Sequence, residues 1–339
     1  MKTGLVWPIL LALSVGCAPE PEFQSHRLLS MGTWVEVAWE GPANIDGVYP
    51  QHAVESELRI LERQFYPWAD GELGALNAAI ARGEGFSLSG DMEQLLAMGK
   101  EFYQRSDGHF DPGVGALVAA WGFGADPSQR TEPIGDLQPA GSIAWLSIDN
   151  HIARSTNQAL VVDVGGYAKG YAVDRSLALL REIGIRNALV NAGGDLRVIG
   201  RRKGRPWRIG IQHPRQPGAI LGSVWLTPGE AAFTSGDYAR ARITGGSRTH
   251  HLIDPASGAP VKHTQSVTVI ADNGALADAS ATAIFVAGPE QWQRVATNMG
   301  VNKVLRIASN GEAQLTPTMA ERFESVADIN ADIIMPSIQ

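Results

Sequence analysis

The run Asp163-Val164-Gly165-Gly166-Tyr167-Ala168-Lys169-Gly170-Tyr171-Ala172-Val173-Asp174 constrains this chain most, because it joins an apolar stretch to a glycine turn and then to a helix bearing one lysine. Ahead of it, Ala159-Leu160-Val161-Val162 reads as a buried strand. After it, Tyr167, Tyr171, Ala172, Leu177 and Leu180 fall near helical spacing. Backbone amides at the helix start, unobstructed at Gly165 and Gly166, can face an anion, and Lys169 can add a positive charge. An ordinary strand-to-helix turn with a solvated lysine has the same pattern, so other segments must decide.

The N-terminus has the order of an export signal: Lys2, an apolar run from Leu5 to Val15, then small residues before Cys17. That run is too short to cross a bilayer as a stable helix. Leu13-Ser14-Val15-Gly16-Cys17 resembles a bacterial lipobox, with Ser14 where leucine is usual. Cys17 is the single cysteine, so no internal disulfide forms. The expectation is a signal peptide over 1–16, a lipidated Cys17, a tether over 17–24, and one domain over 25–339 held at a bacterial membrane facing the periplasm. Charged residues make up 19% of the chain and its formal net charge is −7, which leaves no broad cationic surface for nucleic acid. Any anionic ligand must therefore meet a local pocket.

Ser25 to Trp39 reads as a strand with Met31-Gly32-Thr33 in its middle. Helices are expected over Gln51 to Phe65 and Asp91 to Ser106, the second closed by Asp107-Gly108. From Arg186 to Ala271 the texture changes to short strands: Ala188 to Val190, Trp207 to Ile211, Leu221 to Leu226, Ala231 to Phe233, Ala239 to Ile243 and Ser266 to Ile270. Two helices follow, near Ala275 to Val286 and Pro289 to Met299. Asn310-Gly311 then marks a hairpin. Helices interleaved with a mainly β second half predict an α+β fold with one core sheet. The loop from Gly124 to Gly141 suits either a boundary or a lid.

Polar clusters sit at the edges of the apolar strands. Asp111, in His109-Phe110-Asp111-Pro112, is placed to cap a helix running to Trp121-Gly122-Phe123. Asn191-Ala192-Gly193-Gly194-Asp195 lets backbone approach a ligand closely. Thr234-Ser235-Gly236-Asp237-Tyr238 is a hydroxyl-rich turn. His250 and His251 are adjacent and so point to opposite faces of a strand, which makes a zinc site a poor reading. Asp278 and Thr282, four apart on a helix, share a face and offer two hard oxygens suited to magnesium; a capping or surface pair would look the same.

Taken in order, Met31-Gly32-Thr33, Leu73-Gly74-Ala75-Leu76-Asn77, His109 to Pro112, the Asp163 run, Asn191 to Asp195, Thr234 to Tyr238, His251 to Pro255 and Ala277 to Thr282 resemble the FAD:protein FMN transferase (ApbE) family across nearly all of the mature chain. The resemblance implies an ApbE-type, T-fold-like architecture: a central, mostly antiparallel sheet with flanking helices and two closely packed lobes. It implies transfer of FMN from FAD, as substrate, to a threonine or serine hydroxyl of a client protein, with release of AMP. It further implies Mg²⁺ held by Asp278, Thr282 and the carbonyl of Gly166. Lys169, Asp163, His109, Phe110, Asp111, Met31 and Ile253 would lie around the flavin nucleotide. His251 is the candidate base for the client hydroxyl, with His250 facing away. Family members often place an aromatic residue on the flavin ring; here Gln64-Phe65-Tyr66-Pro67-Trp68 departs from their pattern and leaves Tyr66 or Trp68 for that place. Flavinylated subunits of electron-transfer or ion-pumping complexes are the implied clients. FAD hydrolysis, or flavin binding without chemistry, stays open as an alternative. A Rossmann dehydrogenase does not fit, because Gly-x-Gly-x-x-Gly spacing is missing.

Overall fold

The computed structural model describes residues 22–67, 71–124, 141–244 and 247–326. The expected leader, Cys17, Trp68 and most of the 124–141 loop lie outside them. Strands β1 (Phe23–Ser30) and β2 (Thr33–Glu40) are followed by helices α1 (Pro50–Phe65) and α2 (Glu72–Arg82), strand β3 (Phe86–Ser87), and helices α3 (Gly90–Arg105) and α4 (Gly115–Ala120). Next come β4 (Leu146–Asp149), β5 (Ile152–Ser155), α5 (Ala168–Glu182), β6 (Ala188–Ala192) and β7 (Asp195–Ile199). The chain continues through β8 (Trp207–Gln212), β9 (Ile220–Leu226), β10 (Ala231–Gly236), β11 (Ala241–Thr244), β12 (Ser247–His250) and β13 (Thr264–Ala271). It closes with α6 (Gly274–Met299), β14 (Lys303–Ala308), β15 (Ala313–Leu315), α7 (Pro317–Ala320) and β16 (Phe323–Ser325).

Eight strands form one sheet in the order β1-β2-β6-β7-β10-β13-β14-β15, every neighbouring pair antiparallel. The fold is thus α+β, as expected. On one face Val35, Val37, Val190, Phe233 and Val269 pack against Leu58, Leu61, Tyr171, Leu177 and Phe285 of α1, α5 and α6. On the other, Leu189, Leu196, Val198 and Ile270 meet Trp207, Ile209 and Val224 of the small β16-β9-β8 sheet. Because both faces are covered, β6 and β13 are buried along their whole length, β13 even at the polar Thr264, Gln265, Ser266 and Thr268.

Several expected elements take a different form. The Ser25 to Trp39 strand is a hairpin, turning at Met31 (φ 51) and Gly32 (φ 71), two left-handed positions in succession that match the twist of the flanking strands. Glu62 of α1 fixes this tip, accepting from the Met31 amide (2.9 Å) and the Ser30 hydroxyl (2.9 Å). The 159–162 run makes only one parallel bridge, Val161 to Val114. Its backbone is satisfied elsewhere: Asn77 Oδ1 accepts from Val162 N (2.8 Å), Asn77 Nδ2 donates to Val162 O (2.9 Å), and Gly115 N donates to Val161 O (3.0 Å). Asp111 does not cap α4, whose N-cap is Val114. Its Oδ1 instead accepts from Gly113 N (2.7 Å) and Ile143 N (2.9 Å), tying two loops together. The two helices expected at the end are both present within α6, separated by the non-helical Gly288 (φ 72, ψ −171) just before Pro289. Helix α2 has no counterpart among the expected elements.

The contact that positions the site is the crossing of α5 over α6. A Cβ on Gly170 would stand 2.6 Å from Ala275 N, and one on Gly274 would stand 2.6 Å from Gly170 O, so two glycines let the helices touch backbone to backbone. Asp174 of α5 then caps α6, accepting from Gly274 N (2.8 Å) and Ala275 N (3.2 Å).

Candidate active site

The close crossing places the start of α5 beside the acidic face of α6, and Gly170 N donates to Asp278 Oδ2 (3.1 Å). One residue earlier, Lys169 ion-pairs with Asp195, the first residue of β7. Asp195 Oδ1 also accepts from Thr234 N of β10 (2.9 Å). Ser235 Oγ lies 2.9 Å from Thr282 Oγ1, one helical turn beyond Asp278. Four elements, α5, β7, β10 and α6, thereby converge at one end of the sheet.

Their charges are tightly linked. Burial pushes the Asp278 carboxyl up to about 8, with Lys169 opposing the rise. Burial also works to lower the Lys169 pKa, but the carboxylates of Asp195 and Asp278 outweigh it and hold the ammonium above its ordinary value. Arg240, exposed just after β10, brings a second cation that acts on Asp163, Lys169, His251 and Asp278. The hairpin tip lies beside it: a Cβ on Gly32 would be 3.8 Å from Arg240 Nη2.

His250 ends β12 and His251 lies in the bend after it, and the two rings take different neighbours. His250 is buried, with Nε2 2.7 Å from Val261 O, Nδ1 accepting from Leu252 N (3.2 Å), and its ring edge-on to Phe285. His251 packs edge-on to Phe123. Burial, then Arg240, His250 and Lys169, press its pKa down to about 3, so the ring is neutral near pH 7. The main-chain carbonyl of Arg240 acts weakly against that shift, while Nδ1 is buried with no hydrogen-bond partner among the described residues.

The other expected site residues divide into two groups. Asp163 stays with the turn: burial raises its pKa, while its bond from Gly165 N (2.7 Å) and the charge of Arg240 act against the rise. Met31 is on the hairpin tip, partly buried against the main core. Gly166 sits on the turn before α5, and a Cβ there would meet the Phe110 ring at 2.9 Å. Phe110 therefore backs the turn, within an aromatic cluster with Phe102 and Tyr167. His109 is turned toward the second half of α6, where Nε2 lies 3.1 Å from Gln291 Oε1. With Asp111 clasping two loops, the 109–111 edge is engaged within the protein, and Phe110 supports the glycine turn. Ile253 is buried and bridged to Pro260, and Tyr66 is exposed at the end of α1.

Among the described residues no group of three or more His, Cys, Asp or Glu could hold a metal. A cation here would instead need hard oxygens of mixed type. Asp278 and Thr282 meet that need: a buried carboxylate that burial alone drives toward its neutral form, and a hydroxyl on the same helix face. Arg240 and Glu62 carry no local signal in the sequence. One follows a turn as a surface arginine would, and the other sits on a helix as a solvated acid would.

A family model described as the ApbE family matches residues 31–305. A FAD:protein FMN transferase of Rhodobacter capsulatus is 41% identical over 334 residues, covering 96% of this chain, which spans 64% of that relative's length. One from Haemophilus influenzae is 29% identical over 318 residues, covering 88% of this chain and 91% of its own. The crystal structure of the ApbE protein of Thermotoga maritima superposes with a TM-score of 0.81 at 28% identity, over 90% of this chain and all of that one. A match from the hairpin tip at Met31 to β14, on a shared fold, makes this chain a member of the ApbE family.

Proposed function

We propose that this protein transfers FMN from FAD to a threonine or serine hydroxyl of a client protein, forming a phosphodiester and releasing AMP. The observation that carries this reading is a neutral His251 with an unpartnered Nδ1, set beside the same two cations, Lys169 and Arg240, that flank the buried carboxylate of Asp278. A base of that kind suits a hydroxyl nucleophile, and the cations suit a diphosphate. The Rhodobacter and Haemophilus relatives, both FAD:protein FMN transferases, support the same reading.

The chain's residues divide the work. The glycine turn at 165–166 and the start of α5 present backbone to the diphosphate, and Lys169 and Arg240 offset its charge so that an oxygen nucleophile can approach. The His251 ring takes the hydroxyl proton as the new oxygen–phosphorus bond forms. The anhydride bond breaks, and AMP departs with the bonding electron pair on its phosphate. Approach of the anionic substrate counters the positive field on His251 and raises its basicity when it is needed. Asp278, Thr282 and the Gly166 carbonyl would hold Mg²⁺, which when bound neutralises phosphate charge and stabilises the leaving group.

Intact-mass spectrometry tests this with a threonine-bearing acceptor domain of a flavinylated electron-transfer subunit, incubated with the protein, FAD and Mg²⁺. The expected result is a mass gain of one FMN less water, with AMP released in equal amount. FMN and AMP free in solution beside an unmodified acceptor would make the protein a hydrolase, and unchanged FAD would make it a carrier. Export and a lipid anchor at Cys17 belong to the same proposal. Cys17→Ala should move the protein from the membrane fraction to the soluble fraction, and an unchanged distribution would refute the anchor.

A further inference from the structure

The β1–β2 hairpin has two faces, and among the described residues only one is covered near its tip. Leu28 and Val35 are register partners buried in the main core. The next pair, Leu29 and Trp34, points to the opposite face and is 69% and 50% exposed. The small β16-β9-β8 sheet covers that face elsewhere, reaching Phe23 at the far end of β1. Away from the tip the same face turns polar: Arg27 pairs with Glu36 (3.6 Å), and Ser25 Oγ donates to Glu36 (2.9 Å). The exposed apolar pair is thus confined to the end of the hairpin nearest the site.

Backbone contacts join it to the chemistry. The Trp34 carbonyl accepts from Gly193 N (3.0 Å), in the turn that leads into Asp195, the partner of Lys169. The intervening turn, Met31-Gly32, lies against Arg240. β1 is also an edge strand, with one side free of sheet partners among the described residues.

We propose that Leu29 and Trp34 dock the acceptor polypeptide through an apolar side chain of an extended segment next to the residue that receives the phosphate. This rests on the transfer reading above, which requires a protein substrate at this end of the sheet. Side chains of this size expose on the order of 250 Å² between them. That is far below the roughly 1,200–2,000 Å² of a stable interface, so the patch fits a transient substrate contact better than a second copy of this chain. Leu29 and Trp34 each stand two residues from the Met31-Gly32 turn that lies beside Arg240, so the tip joins patch to site.

The test is steady-state transfer to the acceptor domain named above, with the wild type, Leu29→Ser/Trp34→Ser and Trp34→Phe. The double variant should raise KM for the acceptor about tenfold or more, as loss of a tryptophan anchor does at protein interfaces, with kcat and KM for FAD within twofold. Trp34→Phe should stay within twofold throughout. An unchanged acceptor KM in the double variant, or a fall in kcat alone, would overturn the docking claim while leaving the transfer reading intact. A wild-type dimer in light scattering that the double variant dissociates would overturn it too, in favour of a second copy. Failure of the wild type to modify the acceptor would defeat the transfer reading and this proposal with it.

Discussion

Gly170 and Gly274 meet backbone to backbone where α5 crosses α6, and this contact lets the Gly170 amide reach Asp278 four residues further along α6. The geometry of the site therefore depends on two missing methyl groups. Gly170→Ala should force the helices apart and destabilise the fold by about 3 kcal/mol, near the upper end for overpacking. Urea unfolding reads the loss, and a stability equal to wild type would show that the crossing is not close-packed.

Lys169 stands between two carboxylates, Asp195 and Asp278. Lys169→Met removes the central cation and leaves those acids without compensation. FAD affinity should drop about 10–100-fold, the range set by a hydrogen bond to a charged group. Titration calorimetry with FAD measures it, and an unchanged Kd would remove Lys169 from the phosphate site.

Glu62 holds the hairpin tip through the amide of Met31, a residue in left-handed backbone conformation, and through the hydroxyl of Ser30. Glu62→Ala leaves both donors without it and should cost about 1–3 kcal/mol. Amide exchange should speed up at Met31 to Thr33 while α6 stays protected. Exchange unchanged at the tip would mean that the turn stands without this clamp.

His251 gives the fold a pH dependence of known sign. Burial, followed by the nearby charges, lowers its folded pKa to about 3, whereas the unfolded group titrates near 6.5. The unfolded chain thus binds a proton that the folded chain refuses. Stability linked to His251 is complete above pH 6.5 and is lost as pH falls from there toward 3, by up to about 1.4 kcal/mol per pH unit. His251→Gln should flatten the stability profile below pH 6.5, although His250, shifted in the same direction, keeps some slope. Parallel profiles for the two proteins in urea unfolding would contradict the assignment.

How legible the molecule was depended on how far each signal travels along the chain. Strands such as Trp207–Gln212 and Ile220–Leu226 announce themselves by local apolar runs between turns. The Met31-Gly32 turn does not, because methionine is no turn former and only Glu62, thirty-one residues away, makes its conformation tenable. The 159–162 run has the composition of a strand, yet a side chain from Asn77 takes the backbone bonds that a neighbouring strand would otherwise supply. In the site, Lys169, Asp278 and His251 sit in recognisable motifs. Arg240 belongs to none, and its reach over Asp163, Lys169, His251 and Asp278 exists only once α5, α6 and β10 are assembled. Conversely His109, Phe110 and Asp111 are adjacent to the site in motif order, but their side chains bind Gln291, the aromatic core and the loop amides behind it.

The central claim is that the Asp278 carboxylate, set against the start of α5, is required for phosphoryl transfer. It is tested most directly by intact-mass spectrometry of the acceptor domain over time, with FAD and Mg²⁺, using wild type and Asp278→Asn. The account predicts steady FMN addition by the wild type and a rate at least about 100-fold lower for the variant, as expected when an electrostatic element of the transition state is lost. FMN addition by Asp278→Asn at the wild-type rate would contradict it.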